Sequence, residues 1–247
     1  EVSVMPDGSS TGIGASVKRK EDYRFLVGEG NYTDDINRPN QTYSYMLRSS
    51  SAHANFTLDT KNASKSKGVV QIFVGTDMEV GSIPCGWQVD SKDGTPMREP
   101  AHPPIAKDKV RYVGEILAVV IAETLEDAKN AAELIEVNYN DKPVIIDMQD
   151  AVDSSKGLVH DEIESNICYD WEIGDSEAVE KAMSEAAHVT SLDIRNNRLI
   201  PNAMETRAAI GDYEHATGNY TLYTTSQNPH VIRLLMGAFV LGLPEHK

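Results

Sequence analysis

VRYVGEILAVVIAETLEDAKNAAELIEVNY, residues 110–139, decides the fold class. Its first part, Val110–Ala122, is almost continuously apolar after Gly114, as a β-strand covered on both faces would be. A helix follows with its own start signal. Thr124 suits the N-cap and Asp127 stands at N3, close to a capping box. Ala128, Ala131, Ala132 and Ile135 then recur at i, i+3, i+4 and i+7, which predicts one apolar helix face. Small alanines on that face imply close packing onto a sheet. Val137–Tyr139 and Val144–Ile146 are expected to return as strands beside the helix. The expected class is α/β in the mixed, α+β sense.

Working outward, residues 1–16 are rich in Gly, Ser and Thr and are expected to form an entry strap. Residues 17–148 alternate turn clusters with short β-type runs, among them Thr42–Leu47 and Val69–Val74, and form the first domain. Residues 149–174 are mixed and turn-rich, and are expected to be a linker. A second unit, 175–247, opens on a helix with Asp175 or Ser176 as N-cap and an apolar face of Val179, Ala182, Met183 and Ala186. Strands are predicted at 188–195, 207–213 and 220–225, the last two joined by His215-Ala-Thr-Gly-Asn219. The closing helix has Asn228 as N-cap, Pro229 at N1 and a buried face of Ile232, Leu235, Met236 and Phe239; Gly242 and Pro244 stop it. So few elements leave a sheet edge or face uncovered. The chain is therefore expected to be a piece of a longer protein.

Length and composition narrow the function. At 247 residues, 40% of them hydrophobic, there is room for one large or two ordinary domains around a core. A formal net charge of −15 argues against tracking nucleic-acid phosphates or adsorbing to an anionic membrane. Cys85 and Cys168 belong to no CxxC and read as reduced thiols of a cytosolic-type protein, or as a single disulfide. The opening EVSVMPDGSSTG has no signal-peptide pattern. The longest apolar run, Leu234–Leu243, falls well below the roughly 20 residues that span a bilayer. A cytoplasmic location is expected.

The seven histidines form no HxH or HExxH, so no protein-ligated metal is expected. Gly12-Ile-Gly14 and Gly28-Glu-Gly30 read as turns, and Asp34-Asp35 as a solvated acidic turn. There is no GxSxG elbow. Glu205 and Arg207 suggest a surface or inter-element ion pair, and His53 a structural hydrogen-bonder. Gln227 stands apart. It lies where a strand ends and a helix starts, the place where open α/β layers tend to bind ligands. Its carboxamide supplies a neutral donor that does not compete as a base. The plainer reading is a polar residue helping to cap the helix.

An ordered series of strings runs through most of the chain: Lys18-Arg-Lys-Glu-Asp22, Gly28–Asp35 (GEGNYTDD), Arg48-Ser49 with Ala52-His53-Ala54, Lys107–Gly114 (KDKVRYVG) and Ala131–Tyr139 (AAELIEVNY). Trp171–Asp175 (WEIGD), Met204–Arg207 (METR), Ser226–Arg233 (SQNPHVIR) and Gly242–Lys247 (GLPEHK) continue it. Together they resemble the large, molybdenum-binding subunit of the xanthine dehydrogenase/aldehyde oxidase (molybdenum hydroxylase) family, above all its carbon monoxide dehydrogenase large-chain branch. Ser50 departs from the pattern, which has proline there, and is expected to loosen a turn.

The resemblance implies an α/β hammerhead domain at 17–148, then the beginning of a molybdopterin-binding domain. It implies oxidation of CO, or hydroxylation of an aldehyde or N-heterocycle, at a molybdenum held by molybdopterin (molybdopterin cytosine dinucleotide), with oxygen from water. Electrons pass to 2Fe-2S clusters and FAD on an iron-sulfur small subunit and an FAD-binding medium subunit. The glutamine matching Gln227 approaches the oxo ligand of molybdenum as a hydrogen-bond donor. No catalytic residue and no metal ligand falls in this stretch, because the family's GGGFGG segment, substrate loop and general-base glutamate come later. The isolated chain is accordingly expected to bind no molybdopterin stably and to catalyse nothing. The rival expectation is a non-catalytic assembly or interaction module derived from the same fold.

Overall fold

The apolar run after Gly114 forms one strand at the centre of a sheet. The computed structural model describes residues 3–4, 10–16, 19–79 and 82–247. Residues 1–2 and 5–9 of the expected strap, and Val17 and Lys18 at the expected start of the first domain, lie outside them. In chain order the elements are β1 (Ser3–Val4), β2 (Ser10–Thr11), α1 (Asp22–Leu26), β3 (Tyr43–Arg48), β4 (Ala54–Asp59) and β5 (Val69–Val74). Next come β6 (Lys109–Val110), β7 (Ile116–Ala122), α2 (Leu125–Glu133), β8 (Glu136–Asp141) and α3 (Met148–Ala151). The last are α4 (Ser176–Glu185), β9 (Ala209–Glu214), β10 (Asn219–Thr224) and α5 (Pro229–Leu235), which runs into a π-helical turn at Met236–Leu241. They divide into one unit of residues 1–39 and 200–227, and another of residues 40–199 and 228–247.

In the larger unit, β7 pairs antiparallel with β3 on one side and β5 on the other. A second three-stranded sheet has the order β6-β4-β8. Ala118, Val120 and Ala122 of β7 are fully buried with Ala128, Ala131, Ala132 and Ile135 of the α2 face, as the spacing predicts. Leu117, on the opposite face, is fully buried with Ala54, Phe56, Ala106 and Val110. Two-faced burial therefore holds at the N-terminal end of β7, while Val119 and Ile121 are half-buried. The predicted cap forms: the Asp127 N–H donates to Thr124 Oγ1 at 3.0 Å, and that hydroxyl donates to Asp127 Oδ2 at 2.7 Å.

The predicted run 110–122 is two strands. Gly114, at φ +91°, turns the chain between β6 and β7, and the two go to different sheets. The string after β3 holds this turn. Gly114 N–H donates to Ser49 O, Ser49 N–H to Glu115 O, and the Arg48 guanidinium to Gly114 O, all at 2.8 Å. The turn at Ser50 is not merely loosened. Its N–H donates to the Tyr139 hydroxyl at 3.2 Å, a bond proline cannot make. β4, which the sequence reading passed over, carries Ala54, Phe56 and Leu58 inward in plain alternation.

Four expectations need correction. Val144–Ile146 is not a strand: it follows Pro143, which has no N–H to pair, and Ile146 is exposed. Residues 188–195 form no strand, since no described segment pairs with them and all are exposed. Helix α4 forms, with Asp175 Oδ1 accepting from Ala178 N–H at 2.9 Å, yet none of its residues is buried and Val179 and Met183 stand 58% exposed. In α5, Asn228 takes the N-cap position and Pro229 N1 as expected, though the Asn228 side chain makes no capping bond. The wider π turn from Met236 breaks the 3.6-residue period. Ile232, Leu235 and Met236 stay half-buried while Phe239 turns outward.

Residues 149–174 are tied to the rest of this unit. Asn166 donates to Ala151 O and Gly157 O and accepts from Val159 N–H. Asp161 pairs with Lys109, which is nearly buried, and lies 3.4 Å from Lys142. His160 is buried beside them, edge-on to His102 at 5.3 Å, with Nδ1 donating to Glu162 at 3.3 Å. Cys85 and Cys168 are free, exposed thiols.

Two outcomes follow for stability. Leu117→Ala removes a fully buried side chain from between the sheets and lowers unfolding free energy by about 3 kcal/mol, read from denaturant midpoints. The second concerns pH. Burial, and then the Arg111 guanidinium, hold the His160 pKa below its ordinary 6.5 against the pull of Glu162. The unfolded ring thus binds a proton more readily than the folded one. Stability from this site is complete above pH 6.5 and is lost as pH falls from there toward the folded pKa. Thermal melts at about pH 7.5 and about pH 5.5 should differ less in His160→Gln than in the parent; equal differences would refute the assignment.

Candidate functional site

The site candidate from sequence, Gln227, belongs to the smaller unit, whose centre is the β9–β10 hairpin. The two strands pair antiparallel from Ala209↔Thr224 to Asn219↔Glu214. The predicted turn at 215–219 closes them. Gly218 takes φ +69°, its N–H donates to Glu214 O at 2.8 Å, and Thr217 Oγ1 donates to the Glu214 carboxylate at 2.7 Å. Tyr213 and Tyr220, directly paired across the strands, bring their rings to 4.6 Å. β10 ends at Thr224. Thr225 N–H and Thr224 Oγ1 both reach Ala208 O, at 3.4 and 3.3 Å, so the hairpin ladder closes just before Ser226 and Gln227. Gln227 itself is exposed.

A second segment lies along this hairpin. Arg38 Nη2 pairs with Asp212 Oδ2 at 2.9 Å, and its guanidinium sits 5.7 Å from the centre of the Tyr223 ring. Thr33 N–H donates to Glu205 Oε1 at 3.3 Å, and the Thr33 and Thr225 hydroxyls lie 3.5 Å apart. Glu205 therefore reaches Thr33; among the described residues it forms no ion pair with Arg207, contrary to the pairing the sequence suggested. Nothing in a local sequence pattern announces a contact between residues 172 positions apart.

The remaining candidates take structural places. His53 is buried and its Nδ1–H donates to Pro143 O at 2.8 Å, as a structural hydrogen-bonder should. Asp35 accepts from Tyr32 N–H at 2.9 Å inside a short 3-10 turn at Thr33–Asp35. Gly12, Gly14 and Gly28 take positive φ in turns. Among the described residues no three His, Cys, Asp or Glu side chains converge as a metal-ligand set. No helix among them is long and apolar enough to cross a membrane.

Gln227 is thus a neutral carboxamide presented to solvent at the exit of a closed hairpin. Such a group suits an oxo or other anionic acceptor, and to that extent the residues present fit a molybdenum cofactor brought to this end of β10.

Two known families match most of the chain. Residues 27–143 match the "Aldehyde oxidase and xanthine dehydrogenase, a/b hammerhead domain" family, and residues 159–247 the "Molybdopterin cofactor-binding domain" family. The carbon monoxide dehydrogenase large chain of Afipia carboxidovorans is 30% identical over 249 residues, covering 96% of this chain. The nicotine 6-hydroxylase large subunit of Paenarthrobacter nicotinovorans is 31% identical over 238 residues, covering 95% of it. A solved Cu,Mo-CO dehydrogenase in its carbon monoxide reduced state superposes with a TM-score of 0.80 at 30% identity, covering 96% of this chain and 30% of that one. The chain spans 30% and 28% of the length of the two curated relatives. Carrying both domains in order along one polypeptide, it belongs to the xanthine dehydrogenase/aldehyde oxidase family of molybdopterin-binding oxidoreductases.

Proposed function

We propose that this chain is the N-terminal part of the molybdenum-binding large subunit of a molybdenum hydroxylase. The observation that carries the reading is the match to the carbon monoxide dehydrogenase large chain across 96% of the chain, hammerhead and cofactor-binding portions together. The hammerhead domain is assigned to 17–148, a linker to 149–174 and the first part of the cofactor-binding domain to 175–247. The substrate is CO, an aldehyde or an N-heterocycle. The nicotine 6-hydroxylase relative, at 31% identity, favours the heterocycle as much as the first relative favours CO.

The molybdenum cofactor, as molybdopterin cytosine dinucleotide, supplies two-electron oxidation of the substrate with oxygen from water. Electrons leave through 2Fe-2S and FAD on an iron-sulfur small subunit and an FAD-binding medium subunit, in a cytoplasmic complex. The words "large chain" and "large subunit" in the relatives' names support such partners.

Within this chain the residue assigned to the site is Gln227. Its side-chain N–H would donate to an oxo ligand of the bound cofactor. A carboxamide neither gains nor loses a proton in the working range, so its donor is always present. A fixed neutral dipole aimed at an oxygen on which charge builds lowers the barrier without a proton transfer of its own. In the full-length enzyme, Gln227→Ala should lower kcat on the order of 100-fold with KM and molybdenum content little changed. Steady-state kinetics beside metal analysis checks this, and unchanged kcat would remove Gln227 from the site.

A further inference from the structure

Gln227 is exposed, in a stretch without regular structure between β10 and α5. A catalytic donor has to be held within about 0.5 Å of its productive position, and a misplacement of about 1 Å can cost about 100-fold. On the strand side, Thr225, two residues earlier, is where the chain touches Thr33.

Thr33 faces two partners at once. Its N–H is taken by the Glu205 carboxylate at 3.3 Å, and its hydroxyl meets that of Thr225 at 3.5 Å. Glu205 is half-buried although the residues around it are exposed. A carboxylate gives up hydration to sit there, and what it gains is a single backbone N–H from a distant segment. Five residues beyond Thr33, Arg38 grips Asp212 and Tyr223 on the same hairpin. The segment is therefore anchored at both ends along the strands that lead to Gln227.

We infer that Glu205 and Thr33 are positioning residues for Gln227: together they brace the exit of β10 and so fix where the carboxamide is presented. The inference rests on the role proposed above for Gln227. It assigns work to the half-buried glutamate of the METR string and to a turn threonine, neither of which touches the reacting atoms.

The test uses the full-length enzyme with its partner subunits and the variants Glu205→Ala, Glu205→Gln, Thr33→Val and Gln227→Ala. Glu205→Ala and Thr33→Val should lower kcat roughly tenfold at unchanged KM and molybdenum content, short of the loss in Gln227→Ala. Both should shift the Mo(V) electron paramagnetic resonance signal in the direction Gln227→Ala shifts it. Amide hydrogen exchange at residues 225–228 should speed up in both, whether or not cofactor is loaded. Glu205→Gln keeps an acceptor oxygen and should recover most of the rate. Glu205→Ala added to Gln227→Ala should cost nothing further, because the brace has nothing left to position. Should Glu205→Ala not fold, Thr33→Val decides alone. Normal kcat in Thr33→Val, or full additivity in the double variant, overturns the inference while Gln227→Ala remains impaired. A silent Gln227→Ala overturns the underlying role of Gln227 instead.

Discussion

Ala118, Val120 and Ala122 on β7 pack against Ala128, Ala131 and Ala132 on α2, and this contact of small side chains constrains the rest of the larger unit. Alanine facing alanine brings the helix close to the sheet, which leaves room for one layer of larger residues around the seam: Leu47, Leu58, Val69, Ile72, Val74 and Val137. The opposite face of β7 then has to be covered by the second sheet, through Leu117. Strands β4 and β8 carry that sheet, and β8 follows α2 almost at once, so the helix crosses from one sheet to the other. Gly75 shows how tight the joint is. A Cβ there would run into the carbonyl of Ala106, in a segment that also donates its N–H to Ile116 O at the start of β7.

What the sequence disclosed of this fold is what depends on near neighbours. The α2 face, its Thr124 cap, the β9–β10 hairpin with its Gly218 turn and the stop at Gly242 are each written within a few residues, and each formed. The failures share the opposite property. A strand needs a partner, and neither Val144–Ile146 nor residues 188–195 has one among the described residues, although both have the β-branched and apolar composition of strands. An amphipathic helix needs a surface, and the α4 face of Val179 and Met183 is buried against none among the described residues, which leaves its cap and local propensity to hold it. Phe239 was misplaced for another reason. The switch to π winding lies in backbone hydrogen bonding that the side-chain pattern does not record.

The candidate site divides along the same line. Gln227 could be singled out as a candidate because the backbone explains its neighbours and leaves it over: Pro229 opens the helix, Asn228 precedes it, and the strand has ended. Thr33 and Glu205 were not legible, because their meaning lies in a contact across 172 positions. The METR string suggested a pair within itself, and the carboxylate went to a backbone donor elsewhere. Likewise, a buried histidine inside an apparent linker has no local signature. Its seat is built from His102, Arg111 and Glu162, which are dispersed in sequence.

Charge bears on why an amide suits the donor role proposed for Gln227. The chain carries a formal net charge of −15, so an exposed arginine or lysine would have a surplus of carboxylates to pair with. Arg38, on the segment lying along this hairpin, is already held by Asp212. On such a chain, carboxylates would compete with an anionic ligand for a mobile cation. Glutamine escapes the competition, because its N–H bonds an acceptor without drawing counter-ions and its strength as a donor does not follow the net charge. The corresponding demand is placement. A neutral donor has no long-range pull to bring its acceptor into register, so its geometry has to be set in advance by the backbone that carries it. A hairpin closed through Ala208, with Thr225 at its exit touching Thr33, is the backbone on which the proposed role would depend.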